Sequence, residues 1–199
     1  MNKVYTFLLA CLLLLPATFA NGQAGKAVDL GLSVLWADRN VGARSPFDYA
    51  TLFHWNDFEK DFSPAWLKEI PADGEDINFS GTPHDFAKLT WGGSWRLPTR
   101  KEILELMEKC TWTWVVEKGV GGMKVTGPNG NSIFIPASGR TDHGDLYDLG
   151  EYGHCWSGTL SSDYGHYLFE LVFRDNGCYY AYVHKNAGGE SIRPVQDKK

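Results

Sequence analysis

The chain of 199 residues lacks several signatures of well-known functional sites. Its six histidines form no H-x-x-x-H or H-E-x-x-H pair, and no glycine-rich stretch lies between a strand and a helix where it would hold a phosphate. It also has no basic run, and its formal charge is −5, whereas nucleic-acid binding depends on neutralising phosphates. We therefore expect no metal ligands, no cofactor and no nucleic-acid partner.

Long apolar runs are also missing, except at the N-terminus. "MNKVYTFLLACLLLLPATFANGQAG" has one lysine before an apolar stretch and then the small residues Thr18 and Ala20, as a secretory signal and its cleavage site do. A transmembrane anchor is the alternative, but the run breaks at Pro16 and is shorter than the roughly 18 to 20 residues that a span needs. We predict a signal peptide over residues 1–20, with cleavage as late as residue 24 left open. The mature protein would be secreted, periplasmic or at the cell surface, without a stable membrane span.

The rest of the chain has no proline- or serine-rich linker, no charge block and no repeat that would divide it. About 175 residues remain after the signal, which is enough for one domain with a core and few for two. The mature chain keeps three cysteines. Cys155 and Cys178 both fall at predicted strand starts, so we favour them as the pair in an oxidising compartment, and we expect Cys110 to be a buried thiol.

The segment "WGGSWRLPT", residues 91–99, places two tryptophans around a Gly-Gly-Ser corner. Thr99 and Glu102 have the T-x-x-E spacing of a capping box, which predicts that a helix begins here. The apolar residues that follow recur at three- and four-residue steps and predict one buried stripe, made of Ile103, Leu104, Leu106, Met107 and Cys110. We interpret the corner as a structural wedge with buried tryptophans, and a binding platform is the alternative.

Most of the other segments are predicted to be extended. "AVDLGLSVLWADRNVG" is a strand broken at Gly31, "FDYATLFHWND" is a second extended piece, "TWTWVV" is a half-buried strand, and "KVTGPNGNSIFIPAS" is a hairpin. Residues 58–88 are polar and carry several prolines and glycines, which predicts a long surface loop. A packed insertion with a short helix near residues 65–69 is an equally weighted alternative.

The last third of the chain predicts a meander of three strands, "HCWSGTL", "YLFELVF" and "CYYAYVH". Asn176-Gly177 is a strong hairpin signal between the second and third strands. With these two residues at the turn tip, Phe173 faces Tyr180, Leu171 faces Tyr182 and Phe169 faces His184. Few helices and many short strands indicate the α+β class, with antiparallel twisted sheets and hairpins, one or two helices and long loops.

Four segments together resemble a known family: "AVDLGLSVLWADRNVGA", "WGGSWRLPTRKEILELMEKCTWTW", "VTGPNGNSIFIPASG" and "SIRPV". They are similar, in order and over residues 26–196, to the Fibrobacter succinogenes major paralogous domain, a family of secreted domains in gut anaerobes. That family looks related to the formylglycine-generating-enzyme branch of the C-type lectin-like fold, in which a G-x-W-R-L-P-T-x-x-E turn also opens a helix. The resemblance implies a single C-type lectin-like domain. It implies no activity, because the family has no generally assigned reaction.

The chain departs from the family pattern in its cysteines. Many relatives read W-A-x-C-N-V-G, whereas Arg39 takes the place of that cysteine here, so a disulfide from this position to Cys110 is not available. The resemblance also raises a metal-dependent enzyme, using copper or calcium, as the alternative function. The copper chemistry of the formylglycine-generating branch needs a close cysteine pair, which Cys155 and Cys178 would form only on neighbouring strands.

Two acidic segments suggest calcium, and we favour a simpler interpretation of both. "WND" at residues 55–57 resembles the calcium-site triplet of C-type lectins, but it precedes the main helix and lies in the wrong half of the chain. "TDHGDLYDLGE" collects oxygen ligands without the spacing of an EF-hand, and a solvated acidic loop is the better reading of Asp142, His143, Asp145, Asp148 and Glu151.

The run from Ser161 to Gly189 is dense in Tyr, His, Asn, Asp and Ser, the composition of a binding surface. We predict that it binds an extracellular glycan or protein through Tyr164, His166, Tyr180, Tyr182 and His184. The last three alternate along one strand and share a face. An ordinary tyrosine-rich sheet is the equally weighted alternative, and if that face is core, Tyr179 and the loop tips take the binding role.

The function expected from these observations is a non-catalytic binding module. Targets of diversity-generating retroelements look similar, because they display a variable segment on a C-type lectin-like scaffold just before a motif like "SIRPV". The DNA around the gene would decide whether this protein is such a target, since a template repeat that differs at adenines should lie nearby.

Overall fold

The computed structural model of the protein describes residues 23–57, 76–161, 167–184 and 188–199. Within these ranges the chain forms antiparallel strands and two α-helices, which confirms the α+β class. The strands are β1 (Ala27–Asp29), β2 (Val34–Ala37), β3 (Ile77–Asn78), β4 (Thr111–Glu117), β5 (Val120–Thr126), β6 (Ser132–Pro136), β7 (Arg140–Asp142), β8 (Asp145–Tyr147), β9 (Tyr152–Leu160), β10 (Tyr167–Arg174), β11 (Gly177–His184) and β12 (Val195–Asp197). The helices are α1 (Phe86–Trp91) and α2 (Arg100–Lys109). Neither has the length and apolar composition needed to cross a membrane, and nor does any other helix of the described ranges.

The central sheet has the strand order β11-β10-β9-β3, so the predicted meander of three strands is confirmed. The interior strand β10 is buried on both faces from Leu168 to Phe173. One face, with Phe169 and Phe173, packs against a core cluster that includes residues of α2 and of β5. The other face, with Leu168, packs against a second cluster around Trp55 and Phe86. This two-sided burial explains why "YLFELVF" reads as a nearly continuous apolar run.

Helix α2 begins as the sequence predicts. The Thr99 hydroxyl accepts a hydrogen bond from the Glu102 backbone N–H at 3.3 Å, and the Glu102 carboxylate accepts one from the Thr99 N–H at 2.8 Å. The capping box is therefore confirmed. Ile103 and Leu106 are fully buried, and the other members of the stripe pack partly buried against the same core cluster.

The corner before α2 is a structural joint. Arg96 makes ion pairs with Glu102 at 2.6 Å and with Asp197 at 2.5 Å, and its backbone exchanges two hydrogen bonds with Val195. Trp95 is 7 % exposed and packs edge-on against the half-buried Trp91, with ring centroids 5.2 Å apart. The predicted burial is confirmed for Trp95. The corner thus holds the start of α2 against the C-terminal strand.

The remaining sheets bring distant parts of the chain together. Strands β1, β2 and β12 form one sheet, so the first and last strands of the described chain both belong to it. Strands β4, β5 and β6 form another, and the predicted hairpin is confirmed by the pairing of Val125 with Ile133. In β4, Trp112 and Trp114 are half-buried, and the alternating Thr111 and Thr113 are exposed, as the pattern predicts.

The segment "SIRPV" contains a buried cation. Arg193 is fully buried, and its guanidinium donates to the Asn40 side-chain oxygen at 2.6 Å and to the carbonyls of Ala37 and Phe134 at 2.9 and 3.0 Å. Burial lowers the pKa of Arg193 to about 10, which still leaves it protonated at neutral pH. One side chain therefore fixes β2, the turn after it and β6 relative to one another.

The prediction of a surface loop over residues 58–88 is wrong for its described part. Residues 76–88 contain β3, the buried Phe79 and the first turn of α1. The cause is Asp85, which is fully buried and whose carboxylate accepts hydrogen bonds from the backbone N–H groups of Gly81, Lys88 and Leu97 at 2.7 to 3.0 Å. The Asp85 carboxylate thus caps α1 and, through Leu97, holds the segment against the corner formed by residues 91–99. The alternative of a packed insertion agrees with the burial of residues 76–88, and its short helix near residues 65–69 lies outside the described residues.

A second correction concerns "FDYATLFHWND". Its described structure is mainly irregular, with one isolated bridge between Phe53 and Glu190 and a 3₁₀ turn over Trp55–Asp57. The Asp57 carboxylate accepts from the His54 backbone N–H at 2.7 Å, a local bond that closes the turn and competes with an extended strand.

The register of the β10–β11 hairpin also differs from the prediction, by two residues. Leu171 pairs with Tyr180, Phe169 with Tyr182, and Arg174 with Gly177. The tip is therefore Asp175-Asn176, neither of which has a positive φ, and Gly177 follows at φ 134°. A turn with glycine in its fourth position is typical of type I rather than of the predicted Asn-Gly tip. A shift of two residues leaves every side chain on its predicted face.

Candidate functional site

Two exposed tyrosines lie at the edge of the central sheet. Tyr180 and Tyr182 are 46 % and 38 % exposed, although they share a face with the buried Phe169 and Leu171 of β10. The two pairs differ in exposure because β10 lies inside the sheet and is covered by the core, whereas β11 is the edge strand. The Tyr180 ring stacks on Phe169 at 5.0 Å, and the Tyr182 ring meets Phe169 edge-on at 5.6 Å. One side of each tyrosine is thus held by the core and the other contacts solvent.

An arginine joins this patch to the helix. The Arg100 guanidinium lies 5.5 Å from the centroid of the Phe169 ring and 5.9 Å from that of Tyr182, within the range of cation–π contacts. Its Nη1 donates to the Asp76 carboxylate at 2.8 Å, and this hydrogen bond raises the pKa of Arg100. We call the group of Phe169, Tyr180, Tyr182 and Arg100 the tyrosine surface.

A groove continues from the tyrosine surface along α2. Its volume is about 780 Å³, and Arg100 belongs to both features. The lining side chains carry both signs of charge and several hydroxyl and amide groups: Ser33, Asp76, Asn78, Thr99, Arg100, Lys101, Leu104, Glu105, Glu108, Lys109 and Thr159. A ligand on the tyrosines would therefore meet hydrogen-bonding groups of either polarity on the groove side.

The structure places three of the five predicted binding residues on one strand. Tyr180 and Tyr182 meet edge-to-face with their ring centroids 6.3 Å apart. His184 follows on the same face, half-buried, with its ring edge-on to Tyr167 at 5.2 Å. Tyr164 and His166 lie outside the described residues. The exposure that the prediction requires is present, and ligand binding by these residues stays a prediction.

Among the described residues, neither of the two acidic segments brings three metal-ligating side chains together. The segment of Asp142 and Asp145 is the β7–β8 hairpin, with His143 and Gly144 at positive φ in its turn. The exposed ring of His143 contacts the Asp142 carboxylate at 2.8 Å, and Asp148 lies 3.6 Å from Arg140. The segment is thus a short hairpin rather than an irregular loop, and its charged groups form local pairs in contact with solvent.

The predicted pairing of Cys155 with Cys178 is wrong. Cys155 lies on β9 and Cys178 on β11, and β10 runs between them, pairing with both strands. Two strand spacings are about 9.6 Å, which exceeds the roughly 7 Å over which a disulfide can join two Cα atoms. The thiols of Cys110, Cys155 and Cys178 are all free. The close cysteine pair of the copper alternative is therefore not formed by Cys155 and Cys178.

A buried polar cluster lies on the other face of the central sheet. His154 on β9 and Glu170 on β10 are diagonal neighbours, with Nδ1 of His154 3.2 Å from the Glu170 carboxylate. Glu190, 3 % exposed, enters from the segment before β12. Among the described residues, these three form the one group of metal-ligating side chains whose donor atoms all lie within 4.8 Å of one another. Burial, and then the neighbouring Glu170, raise the pKa of Glu190 well above its usual value.

Sequence reasoning missed this cluster. Its members are separated by 16 and 20 positions and follow no motif spacing. One signal was available, because Glu170 is a single acid inside the apolar run "YLFELVF", and a charge in a buried strand needs a partner. His154 and Glu190 carry no comparable signal.

Comparison of the chain with protein-family models, with curated proteins and with solved structures finds no match in any of the three. The α+β class therefore rests on the structure itself. The family resemblance and the C-type lectin-like fold stay predictions.

Proposed function

We propose that this protein is a secreted, non-catalytic binding module that holds an extracellular glycan or protein on its tyrosine surface. The observation that supports this most is the exposure of Tyr180 and Tyr182, whose rings are nevertheless fixed by contacts with Phe169. Tyrosine offers a large amphipathic contact area at a low entropic cost. Here the contacts with Phe169 already restrict the two rings before a ligand binds, so less side-chain entropy is lost on binding.

The chemistry of the surface suits a ligand with both apolar faces and polar edges. A ring face stacks on the apolar side of a sugar or on another side chain, while the phenol hydroxyl forms hydrogen bonds. Arg100 adds a cation beside the rings, and the adjoining groove adds charged and hydroxyl groups. Binding sites combine an apolar platform with a few polar groups that fix orientation in this way.

A glycan array and a pull-down from host-surface proteins test the proposal. For any ligand that either assay identifies, we expect the double variant Tyr180→Ala/Tyr182→Ala to bind at least about tenfold more weakly, because both stacking platforms are lost. Unfolding of the variant by heat should remain cooperative, at a lower temperature than in the parent, because the contacts of both rings with Phe169 are lost.

The matched control is Tyr179→Ala. Tyr179 is on the same strand and is 46 % exposed, but it lies on the opposite face. Ligand binding should survive this change. Negative results in both assays, or equal loss in the control and in the double variant, would contradict the proposed surface.

We also propose that the chain is a Fibrobacter succinogenes major paralogous domain with a C-type lectin-like fold, preceded by a secretory signal. The support is the resemblance of the four segments, together with the capped α2 that follows the Arg96 corner. A role as a variable target of a diversity-generating retroelement is part of this proposal. Sequencing of the flanking DNA tests it, and the absence of a template repeat there would exclude that role.

A further inference from the structure

Three side chains with metal-binding chemistry meet inside the protein, on the face of the central sheet opposite the tyrosine surface. They are His154, Glu170 and Glu190, and their donor atoms all lie within 4.8 Å of one another. We propose that these three residues bind one divalent transition-metal ion of the zinc type, in a structural site that joins the segment before β12 to the central sheet. This proposal does not depend on the binding function of the tyrosines.

Two buried polar atoms of the cluster have no hydrogen-bond partner among the described residues, which supports a cation site. They are Oε2 of Glu190 and Nε2 of His154. Glu190 is 3 % exposed and Glu170 is 5 % exposed. Two carboxyl groups at this depth are costly unless they are paired, coordinated or neutralised. A dication bound between them balances the two carboxylates and contacts Oε2 of Glu190, while Nδ1 of His154, which faces Glu170, is the ring nitrogen in reach of the ion.

The side chain of Arg140, a cation that could compete with a metal ion for Glu190, makes its contacts with other residues. Among the described residues, the charge of Arg140 opposes the rise in the pKa of Glu190. Its Nε faces the Asp148 carboxylate at 3.6 Å, its guanidinium lies 5.9 Å from the Tyr147 ring, and its side chain is 38 % exposed. Arg140 therefore leaves the buried oxygen of Glu190 without a direct partner.

The backbone holds the three ligands on fixed elements. His154 and Glu170 are on paired strands. Glu190 exchanges two backbone hydrogen bonds with Phe53, at 2.8 and 3.1 Å, and the next residue, Ser191, donates its N–H to the His154 carbonyl at 3.0 Å. Ligands that are supported in this way need only side-chain adjustments to close on an ion.

The donor set selects the kind of metal. One imidazole nitrogen and two carboxylate oxygens suit zinc, at distances of about 2.0 to 2.2 Å, and tetrahedral ligands at those distances are roughly 3.3 Å apart. Calcium and magnesium prefer six or more oxygen ligands. Three protein ligands leave one tetrahedral position, which a water molecule would complete. The burial of all three residues nevertheless favours a structural role, because a substrate has little access to the ion.

The test uses the full chain, without an affinity tag, after chelator treatment and dialysis. Titration with zinc chloride in a calorimeter should show one ion bound per chain, and zinc should raise the melting temperature, because a ligand that binds only the folded state stabilises it. Glu190→Gln keeps the shape of the side chain and removes its charge. It should lower zinc affinity at least about tenfold.

Asp142→Asn is the matched control, because Asp142 also contacts a histidine, His143, but at the protein surface. This variant should bind zinc as the parent does. Equal zinc affinity in Glu190→Gln and the parent, loss of binding only in Asp142→Asn, or no zinc binding by the folded parent protein would overturn the proposal.

X-ray absorption at the zinc edge gives a second readout that needs no variant. The expected first shell contains one imidazole nitrogen and carboxylate oxygens. A shell that contains sulfur would place the metal on a cysteine, and a shell of oxygen alone would place it on the surface acids. Either result would refute the site even if Glu190→Gln failed to fold.

Discussion

Burial sets the chemistry of several single side chains in this protein. Burial raises the pKa of Cys155 to about 12, and burial together with the charge of Glu105 raises the pKa of Cys110 to about 11. The pKa of Cys178 is raised by burial as well. Because the thiolate is the reactive form, all three cysteines are neutral and poorly nucleophilic at physiological pH.

We therefore expect slow alkylation of the native protein by iodoacetamide at pH 8. Mass spectrometry of peptides should show Cys155 almost unlabelled, with Cys110 and Cys178 labelled only partly. After denaturation in guanidinium, all three should react within minutes, because the pKa values return to their ordinary range. Rapid labelling of native Cys155 would show that its strand is not packed as described.

At the scale of elements, the start of α2 depends on a chain of polar contacts. Arg96 binds the two oxygens of Glu102 at 2.9 and 2.6 Å, and Glu102 in turn caps the backbone N–H of Thr99. One glutamate thus serves the capping box and the corner together. Trp91 and Trp95 of "WGGSWRLPT" contact each other beside these polar groups, and Trp95 is buried there.

Substitutions in the corner should separate packing from capping. Trp95→Ala should lower the free energy of unfolding by about 3 to 5 kcal/mol, as truncation of large core aromatics does. Thr99→Ala should cost roughly 1 kcal/mol, and Thr99→Ser should restore most of that loss because serine also caps helices. Urea denaturation measures all three values. An unchanged stability of Trp95→Ala with loss of ligand binding would show that the corner is a binding platform.

At the scale of the whole molecule, a few long-range contacts hold the separate sheets together. Arg193 donates to groups from β2, from the following turn and from β6, which lie up to 156 positions away in sequence. Strand β12 pairs with β2, and Val195 is also bonded to Arg96. The C-terminal segment therefore connects the N-terminal strands, the corner and the core.

Arg193→Met should destabilise the entire domain. It leaves the Asn40 oxygen and two carbonyls without a buried donor, and each unsatisfied group costs about 1 to 3 kcal/mol. We expect a loss of at least roughly 3 kcal/mol in urea denaturation, with one cooperative transition. The control Arg44→Met removes a guanidinium from an exposed residue and should change stability by less than about 0.5 kcal/mol. A loss confined to the control would contradict the assigned role of Arg193.

Part of the candidate site was predictable from the sequence. Tyr180 and Tyr182 share a face because side chains alternate along any strand, and this survived the two-residue error in register. Their exposure was not predictable, because it depends on β11 being an edge strand. The separation of Cys155 from Cys178 was not predictable either, because it depends on the strand order, which places β10 between their strands.

The amino-acid sequence by itself determined the features that depend on near neighbours: the start of α2 at Thr99, the β5–β6 hairpin and the α+β class. Capping, turn formation and alternation involve residues within a few positions of one another. The tertiary structure alone decided that residues 76–88 pack inward, and that His154, Glu170 and Glu190 meet in the interior. These outcomes depend on which distant segments share a core, and the free energy of burying a charge or an aromatic ring is set by those neighbours and not by the local sequence.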